Sequence, residues 1–467
     1  MREILAMLYF GTPMKLDTQR GTLVYGVQHN LRDSVVVMPL RTGECRVGLL
    51  GLGTVGSAVA GLLLRSEHEI AHRAGLPIRL RHVAVAHPDR PRSLALPDGI
   101  LTGDAAAVVD DPEVDVVVEV MGGIEPARTH ILRALAAGKS VVTANKQLMS
   151  TRGEELLTAS AARGVDLFFE ASACAGLPVI KTIREALAAN TITQVMGIVN
   201  GTTNFILTRM AEGGVGFGEA LGEAQRLGFA EADPTDDVDG HDAAAKLAIL
   251  ASAAFDSRVV SADVYREGVA SITPRIITYA REMGYVVKLL AIARSTDGAI
   301  EARVHPALLP GTHPLARVDR ELNAVLIEAE PAGPIVLEGR EAGGGPTASA
   351  VVGDLIDVAR NMRAGASHRI RSTGAERRPV KEMAEVVLSY CVALVVADRP
   401  GVFSQVAAAF GEERVSIASI VQKSRGVTAD VVLVTHEAPE AAMRRTLARL
   451  HRLSVVTDVH AVIRIAA

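Results

Sequence analysis

The stretch Arg46-Val-Gly-Leu-Leu-Gly51-Leu-Gly-Thr-Val-Gly56 sets the reading of the first third of the chain. A short apolar run ends in glycine, as a buried parallel strand does, and Val55, Val59, Leu62 and Leu63 then recur at helical spacing. Between them lies G-x-G-x-x-G. The first glycine allows the tight turn, the second lets the backbone approach a pyrophosphate, and the third lets helix pack on strand. The helix N-terminus offers free N–H groups and the positive end of a dipole. This context favours a dinucleotide; the alternative is a glycine turn in an α/β protein that holds none.

Outward from that turn, strand-like runs at Leu80–Val85, Val114–Val120 and Ser140–Thr143 alternate with helical patterns, notably Ala127–Ala137, which stops at Gly138. The alternation predicts a doubly wound parallel (Rossmann) sheet over residues 45–170, completed by about 338–362. The tip of the second strand carries no acid to select NAD by its ribose diol. Arg90 and Arg92 follow and suit the extra phosphate of NADP, while Asp89 keeps NAD open and a solvated loop remains an equal reading.

Residues 171–337 read as a second, α+β domain for substrate and dimerisation, with helices over 217–228 and 240–254 and strand segments near 194–200 and 323–338. The Arg/Gly/Ser stretch 363–380 has no apolar face, so 363–385 reads as a linker. Over 386–467 the order is βαββαβ, a ferredoxin-like unit, whose first helix should bury Val402, Val406, Ala407 and Phe410. Residues 1–44 show no sustained periodicity and read as a poorly ordered extension, with Met38 as a candidate start.

Composition narrows the function. A net charge of −4 gives no basic footprint for nucleic acid. No apolar run reaches the roughly 18 residues that span a bilayer. Three scattered cysteines form neither a zinc spacing nor a disulfide framework, so a reducing, cytoplasmic setting is expected.

The chemistry concentrates before and on one Ala-rich helix. Asp242 and Lys246 are four apart and share a face, so the carboxylate can orient the ammonium. An ordinary surface pair would look the same, but acids at 231, 233, 236, 237 and 239 precede it. So many carboxylates repel one another unless a cation visits, and an α-amino acid brings one. Asp236, Asp237 and Asp239 can equally be solvated or cap the helix.

Three segments resemble the homoserine dehydrogenase family: Thr143-Ala-Asn-Lys146; Gly197-Ile-Val-Asn-Gly-Thr-Thr-Asn-Phe-Ile-Leu207; and Gly228-Phe-Ala-Glu231 through Asp242-Ala-Ala-Ala-Lys246. The likeness runs from about residue 46 to the C-terminus. It implies NAD(P)-dependent hydride transfer between L-homoserine and aspartate 4-semialdehyde in threonine, methionine and isoleucine biosynthesis. It assigns Lys246 the hydroxyl proton, with burial or a cationic neighbour lowering its pKa. Lys146 would stand between nicotinamide and substrate, and Gly228, Glu231 and Asp242 would hold the substrate. Gly51, Gly53, Thr54, Val55 and Gly56, with Thr143, Lys146 and Gly343, would hold the cofactor. The loop Glu170-Ala-Ser-Ala173-Cys-Ala175-Gly-Leu177 resembles the family's monovalent-cation site, sodium on carbonyls of Glu170, Ala173, Ala175 and Leu177. Cys174, Ala175 and Glu341 depart from the family, which commonly has a small residue, glycine and glycine there.

Asp398-Arg-Pro-Gly401 opens the tail's first helix and resembles an ACT domain, which implies an amino-acid effector such as threonine; a pure dimerisation module is the alternative. A homo-oligomer, dimer or tetramer, is expected. No kinase segment fits the length, which suggests a monofunctional enzyme, and deleting 381–467 should spare the chemistry and remove feedback. Two other readings stay open: an acylating aldehyde dehydrogenase with Cys174 as nucleophile, and a nucleotide- and amino-acid-sensing regulator without turnover.

Overall fold

The computed structural model describes residues 15–17, 22–24, 43–341, 343–367, 369, 377–424 and 426–466. The first forty residues form a unit of their own, in which Lys15–Asp17 pairs antiparallel with Thr22–Val24. Most of the extension expected over 1–44 lies outside the described residues.

The second unit begins with β1 (Cys45–Leu50), α1 (Thr54–Arg65), α2 (Glu67–Ala74), β2 (Ile78–Ala84), β3 (Leu101–Thr102), α3 (Ala105–Asp110), β4 (Val116–Glu119), α4 (Ala127–Ala136), β5 (Ser140–Thr143), α5 (Lys146–Arg163) and β6 (Leu167–Phe168). Its six strands are parallel in the order β3-β2-β1-β4-β5-β6, a doubly wound sheet whose order reverses between β1 and β4. Ligands of such sheets sit beyond the carboxyl ends of the strands at that reversal. Strands β4 and β5 are buried along their whole length, which explains their unbroken apolar runs.

Next come β7 (Thr191–Ile198), α6 (Gly201–Gly213), α7 (Phe217–Leu227), α8 (His241–Phe255), α9 (Pro274–Glu282), β8 (Tyr285–Thr296), β9 (Ala299–Pro310), β10 (Leu322–Glu330) and β11 (Gly333–Arg340). The segment near 323–338 is thus two antiparallel strands, turned at 331–332. Helix α10 (Gly344–Ala364) returns to the first sheet, where Ala348, Val351, Val352, Leu355, Val358 and Ala359 complete the core over β1 and β4. Of the stretch expected to be a linker, 363 and 364 belong to α10, and Val380 bridges to Ile300.

The tail folds as β12 (Val387–Ala397), α11 (Val402–Glu412), β13 (Ile417–Gln422), β14 (Thr428–Thr435), α12 (Glu440–Leu450) and β15 (Val456–Ile465). Its strand order β15-β12-β14-β13 is the ferredoxin-like one. Helix α11 buries Ala409 beside Phe410 and leaves Ala407 exposed, one correction to the expected face. This sheet does not end at its own edge. Strand β15 pairs in parallel with β9, Ala307 opposite Arg464 and Leu308 opposite Ile465, so β11-β10-β7-β8-β9 and the tail form one continuous sheet. Cys391, Ala393 and Ile463 of the tail join the core that contains Ile276, Ala280 and Leu308.

Candidate active site

The glycine turn is built as the spacing requires. Gly51 has φ 101°, and a Cβ on Gly56 would stand 2.1 Å from the Gly51 carbonyl oxygen, so no larger residue fits there. Gly53 is the N-cap of α1 and Gly343 that of α10; neither helix has a side-chain cap among the described residues. The two N-termini meet, because a Cβ on Gly344 would lie 3.1 Å from the Thr54 carbonyl oxygen. Two sets of uncapped N–H groups at the sheet's reversal fit a pyrophosphate. After β2, Arg90 is exposed, whereas Arg92 is committed to its own loop, donating to the carbonyls of His87, Pro88 and Arg90 at 2.6–2.8 Å.

A residue missed from sequence organises this edge. Glu119 ends β4 fully buried and accepts hydrogen bonds from Met121 N (2.8 Å), Gly122 N (3.2 Å) and Thr143 Oγ1 (2.6 Å). Thr143 Oγ1 accepts in turn from Asn145 N, and Asn145 caps α5 through Leu148 N, both at 3.0 Å. Lys146 is therefore the first residue of a helix whose start is pinned to the strand ends. The signal was an acid closing the apolar run Val-Val-Val-Glu119.

From the other domain, α8 brings Asp242 and Lys246, both buried. Lys246 Nζ lies 2.7 Å from Asp242 Oδ2 and donates to Val199 O at 2.8 Å; its third partner is the Glu341 carboxylate. Asp242 Oδ1 receives Lys146 Nζ, joining the two domains. Asn200, the N-cap of α6, donates to Asp242 Oδ2 (3.0 Å) and Asp237 Oδ1 (2.7 Å). It too was missed as a site residue, although it stands in the segment 197–207 quoted above, just before Gly-Thr-Thr.

The electrostatics differ from the expectation. Burial works against the charge on Lys246, but Asp242 and Glu341 outweigh it and hold the ammonium above the usual lysine range. Asp242 is buried as well, yet Lys246 and Lys146 keep it ionised well below the ordinary carboxylate range. Glu341 is pushed up, by burial first, with Lys246 opposing and Asp242 reinforcing. The lysine is thus held in its charged form.

The structure does not bring every expected residue here. Glu231 and Gly228 are exposed in the turn after α7, with the Glu231 carbonyl accepting from Gln225 Nε2 at 3.0 Å. Of the other acids, Asp233 accepts from Thr235 N and Oγ1 within its own turn.

Loop 170–178 folds under α10. The Glu170 carboxylate accepts from Ile180 N (2.9 Å) and Lys181 N (2.8 Å), and its N–H donates to Asp354 Oδ2 (3.0 Å). The Leu177 carbonyl accepts from Val179 N at 2.8 Å, and that of Glu170 from Ala173 N at 3.4 Å. Ala173 and Ala175 are buried, and no hydrogen bond among the described residues is donated to their carbonyls. Buried carbonyls without donors fit a hard monovalent cation. Among the described residues no group of three His, Cys, Asp or Glu side chains could hold a metal. Cys174 is fully buried, and burial, then the Glu341 charge, push its thiol well up, the opposite of what a nucleophile needs.

A dinucleotide cradle facing a buried lysine–carboxylate cluster defines a nicotinamide-dependent oxidoreductase. The family models that match are homoserine dehydrogenase, NAD binding domain (residues 51–170), homoserine dehydrogenase (178–356) and ACT domain (392–453). The homoserine dehydrogenase of Corynebacterium glutamicum is 46% identical over 90% of this chain and 95% of its own. The crystal structure of the Thiobacillus denitrificans enzyme superposes with a TM-score of 0.85 at 43% identity, covering 91% of this chain and 98% of that one. A hyperthermophilic archaeal homoserine dehydrogenase, solved in complex with NADPH, gives 0.56 at 27% identity, over 68% of this chain and 97% of that one. The chain belongs to the homoserine dehydrogenase family, oxidoreductases acting on a CH–OH group, with an NAD-binding domain and an ACT regulatory domain.

Proposed function

We propose that this chain interconverts L-homoserine and L-aspartate 4-semialdehyde, with Lys246 exchanging the proton of the C4 oxygen. The observation that carries the reading is the Lys146–Asp242–Lys246 cluster, drawn from both domains, with Asp242 and Lys246 buried and Lys146 half-exposed beside the cofactor edge. When bound, the nicotinamide supplies the hydride chemistry at C4. The chain supplies the rest. Gly51, Gly53, Thr54, Val55, Gly56 and Gly343 cradle the dinucleotide, and Thr143 and Lys146 border its reacting end. Asp242 orients both ammonium groups. A charged Lys246 donates its proton to the oxygen as the aldehyde is reduced, so reduction is the direction the resting site is prepared for.

Gly228 and Glu231 reach the substrate's amino group only if their exposed turn closes over the site. Arg90 supports a preference for NADP, since it is the arginine of that loop left in solvent. The carbonyls of Glu170, Ala173, Ala175 and Leu177 would hold sodium, whose part there would be structural, fixing the loop against α10.

The ACT domain senses an end-product amino acid, threonine by its pathway. Gly401 caps α11 without a side-chain cap, and Asp398 already holds Gly426 N at 3.0 Å, so an effector there would reorder the loop. Exposed Phe403, Ile420, Val421 and Val427 near edge strand β13 support a homo-oligomer. Three unpaired cysteines suit the cytoplasm. No described helix is long and apolar enough to cross a membrane.

The test is steady-state turnover of L-homoserine with NADP and NAD separately, followed by reduced-nicotinamide absorbance. Turnover favouring NADP supports both parts of the reading. Protein that binds a cofactor yet turns over nothing overturns it in favour of a sensor.

A further inference from the structure

The three hydrogens of the Lys246 ammonium have three acceptors: Val199 O at 2.8 Å, Asp242 Oδ2 at 2.7 Å and the Glu341 carboxylate. A substrate oxygen that exchanges a proton with this amine must replace one of them. Val199 is main chain, one residue past β7 and directly before the capping Asn200. Asp242 sits one turn back on the same helix and is held by Lys146 and Asn200 as well. Glu341 is different. It lies just beyond the end of β11, and the chain continues Ala-Gly-Gly-Gly345. Its side chain is tied, among the described residues, to Lys246 and to Asn323 Nδ2. Glu341 itself stands between that strand and the helix that begins at Gly344, in neither, and rotation about its own side-chain bonds can free the amine.

We propose that Glu341 is a positioning residue of this site: it holds the Lys246 amine while the site is empty and gives up its place to the substrate's C4 oxygen. The inference rests on the functional reading above. Binding is then an exchange of acceptors on one nitrogen. The apparent affinity for substrate is lowered by the fraction of molecules in which Glu341 is in place. Lys246 is faced by Asp242 and Glu341, with Lys146 on the far oxygen of Asp242 and the Cys174 thiol nearby. Losing the Glu341 charge therefore leaves the amine with one carboxylate instead of two and lets it deprotonate more readily.

The experiment compares wild type, Glu341→Gln and Glu341→Gly for KM of L-homoserine and for the pH profile of kcat/KM, with cofactor affinity measured alongside. Glu341→Gln keeps an acceptor for Asn323 and guards against a folding defect. We expect KM to fall by about tenfold in the glycine variant and less in the glutamine variant. The alkaline rise of homoserine oxidation should move about one unit towards neutrality in both. Unchanged KM and profile, or a raised KM, in variants that bind cofactor normally would overturn the proposal alone. Absence of turnover in all three proteins would overturn the functional reading and the proposal with it.

Discussion

Asp242 serves two lysines from opposite sides: its Oδ2 lies 2.7 Å from Lys246 Nζ on its own helix, and its Oδ1 receives Lys146 from the helix that opens at the nucleotide-binding sheet. One carboxylate thus joins the buried lysine of one domain to the edge of the nucleotide-binding sheet of the other. Asp242→Asn should lower kcat/KM by more than loss of a single contact would, because both amines lose their anchor. Isothermal titration of the cofactor, set beside kinetics, would separate the two: affinity for the dinucleotide should change little.

Lys246→Ala should cut kcat by about 100-fold to 10,000-fold, the usual worth of a general acid or base. Cofactor affinity should stay near that of wild type. A parallel fall in cofactor binding would mean that the lysine acts elsewhere than on the C4 oxygen.

Because Asp242 and Glu341 keep Lys246 charged above the usual lysine range, the two directions should respond oppositely to pH. Reduction needs the ammonium and should hold through neutral pH, declining only in strong alkali. Oxidation needs the free amine and should climb with pH. Initial rates in both directions across that range test this, and a common optimum near neutrality would contradict it.

Gly176 is the point where loop 170–178 touches the end of β11, next to Glu341. A Cβ there would lie 1.8 Å from the Arg340 carbonyl oxygen, against backbone that cannot swing aside. Gly176→Ala should destabilise the fold by about 1–3 kcal/mol or more and raise KM for homoserine. Thermal unfolding and kinetics on the same preparation would show both effects together.

His305 on β9 is buried, with Nδ1 2.9 Å from the Pro306 carbonyl oxygen, and burial with the charges of Arg464 and Arg303 lowers its pKa to about 3. The unfolded chain takes up a proton near pH ~6.5 and the folded one does not, so this residue's contribution is whole above that pH and is lost as pH falls. It should account for about 2 kcal/mol of the stability lost between about pH 7 and about pH 5. Asp354, raised to about 6 chiefly by burial, works in the opposite sense in that window. Urea unfolding of wild type and His305→Gln at the two pH values isolates the histidine, and parallel losses would exclude it as the cause.

Much of the fold was legible because local pattern and tertiary role agree. The runs at β1, β4 and β5 are apolar because both their faces are covered, and Gly51 and Gly56 are glycines because the turn leaves no room for a Cβ. The i,i+4 spacing of Asp242 and Lys246 survives intact in α8. What could not be read depends on contacts distant in sequence. Glu119 is a lone acid until the β5 edge folds over it. Glu341 is 95 residues from Lys246, and no periodicity links them. The hairpin at 331–332 was hidden because both its arms are strands of similar texture.

The seam between β9 and β15 changes what the C-terminal unit can do. A sensor on a flexible tether could swing away and leave the catalyst as it was. Here the last strand is stitched by main-chain hydrogen bonds to the edge of the catalytic sheet, with Ala466 N donating to Leu308 O at 2.9 Å. Deleting 381–467 would open that edge and bare the apolar residues beneath it, so the shortened chain should aggregate rather than survive as an enzyme freed of feedback. An effector bound to the tail would act on the catalytic domain across this seam. Its signal would then travel as a shear or twist of paired strands, a message written in the weave of the sheet itself.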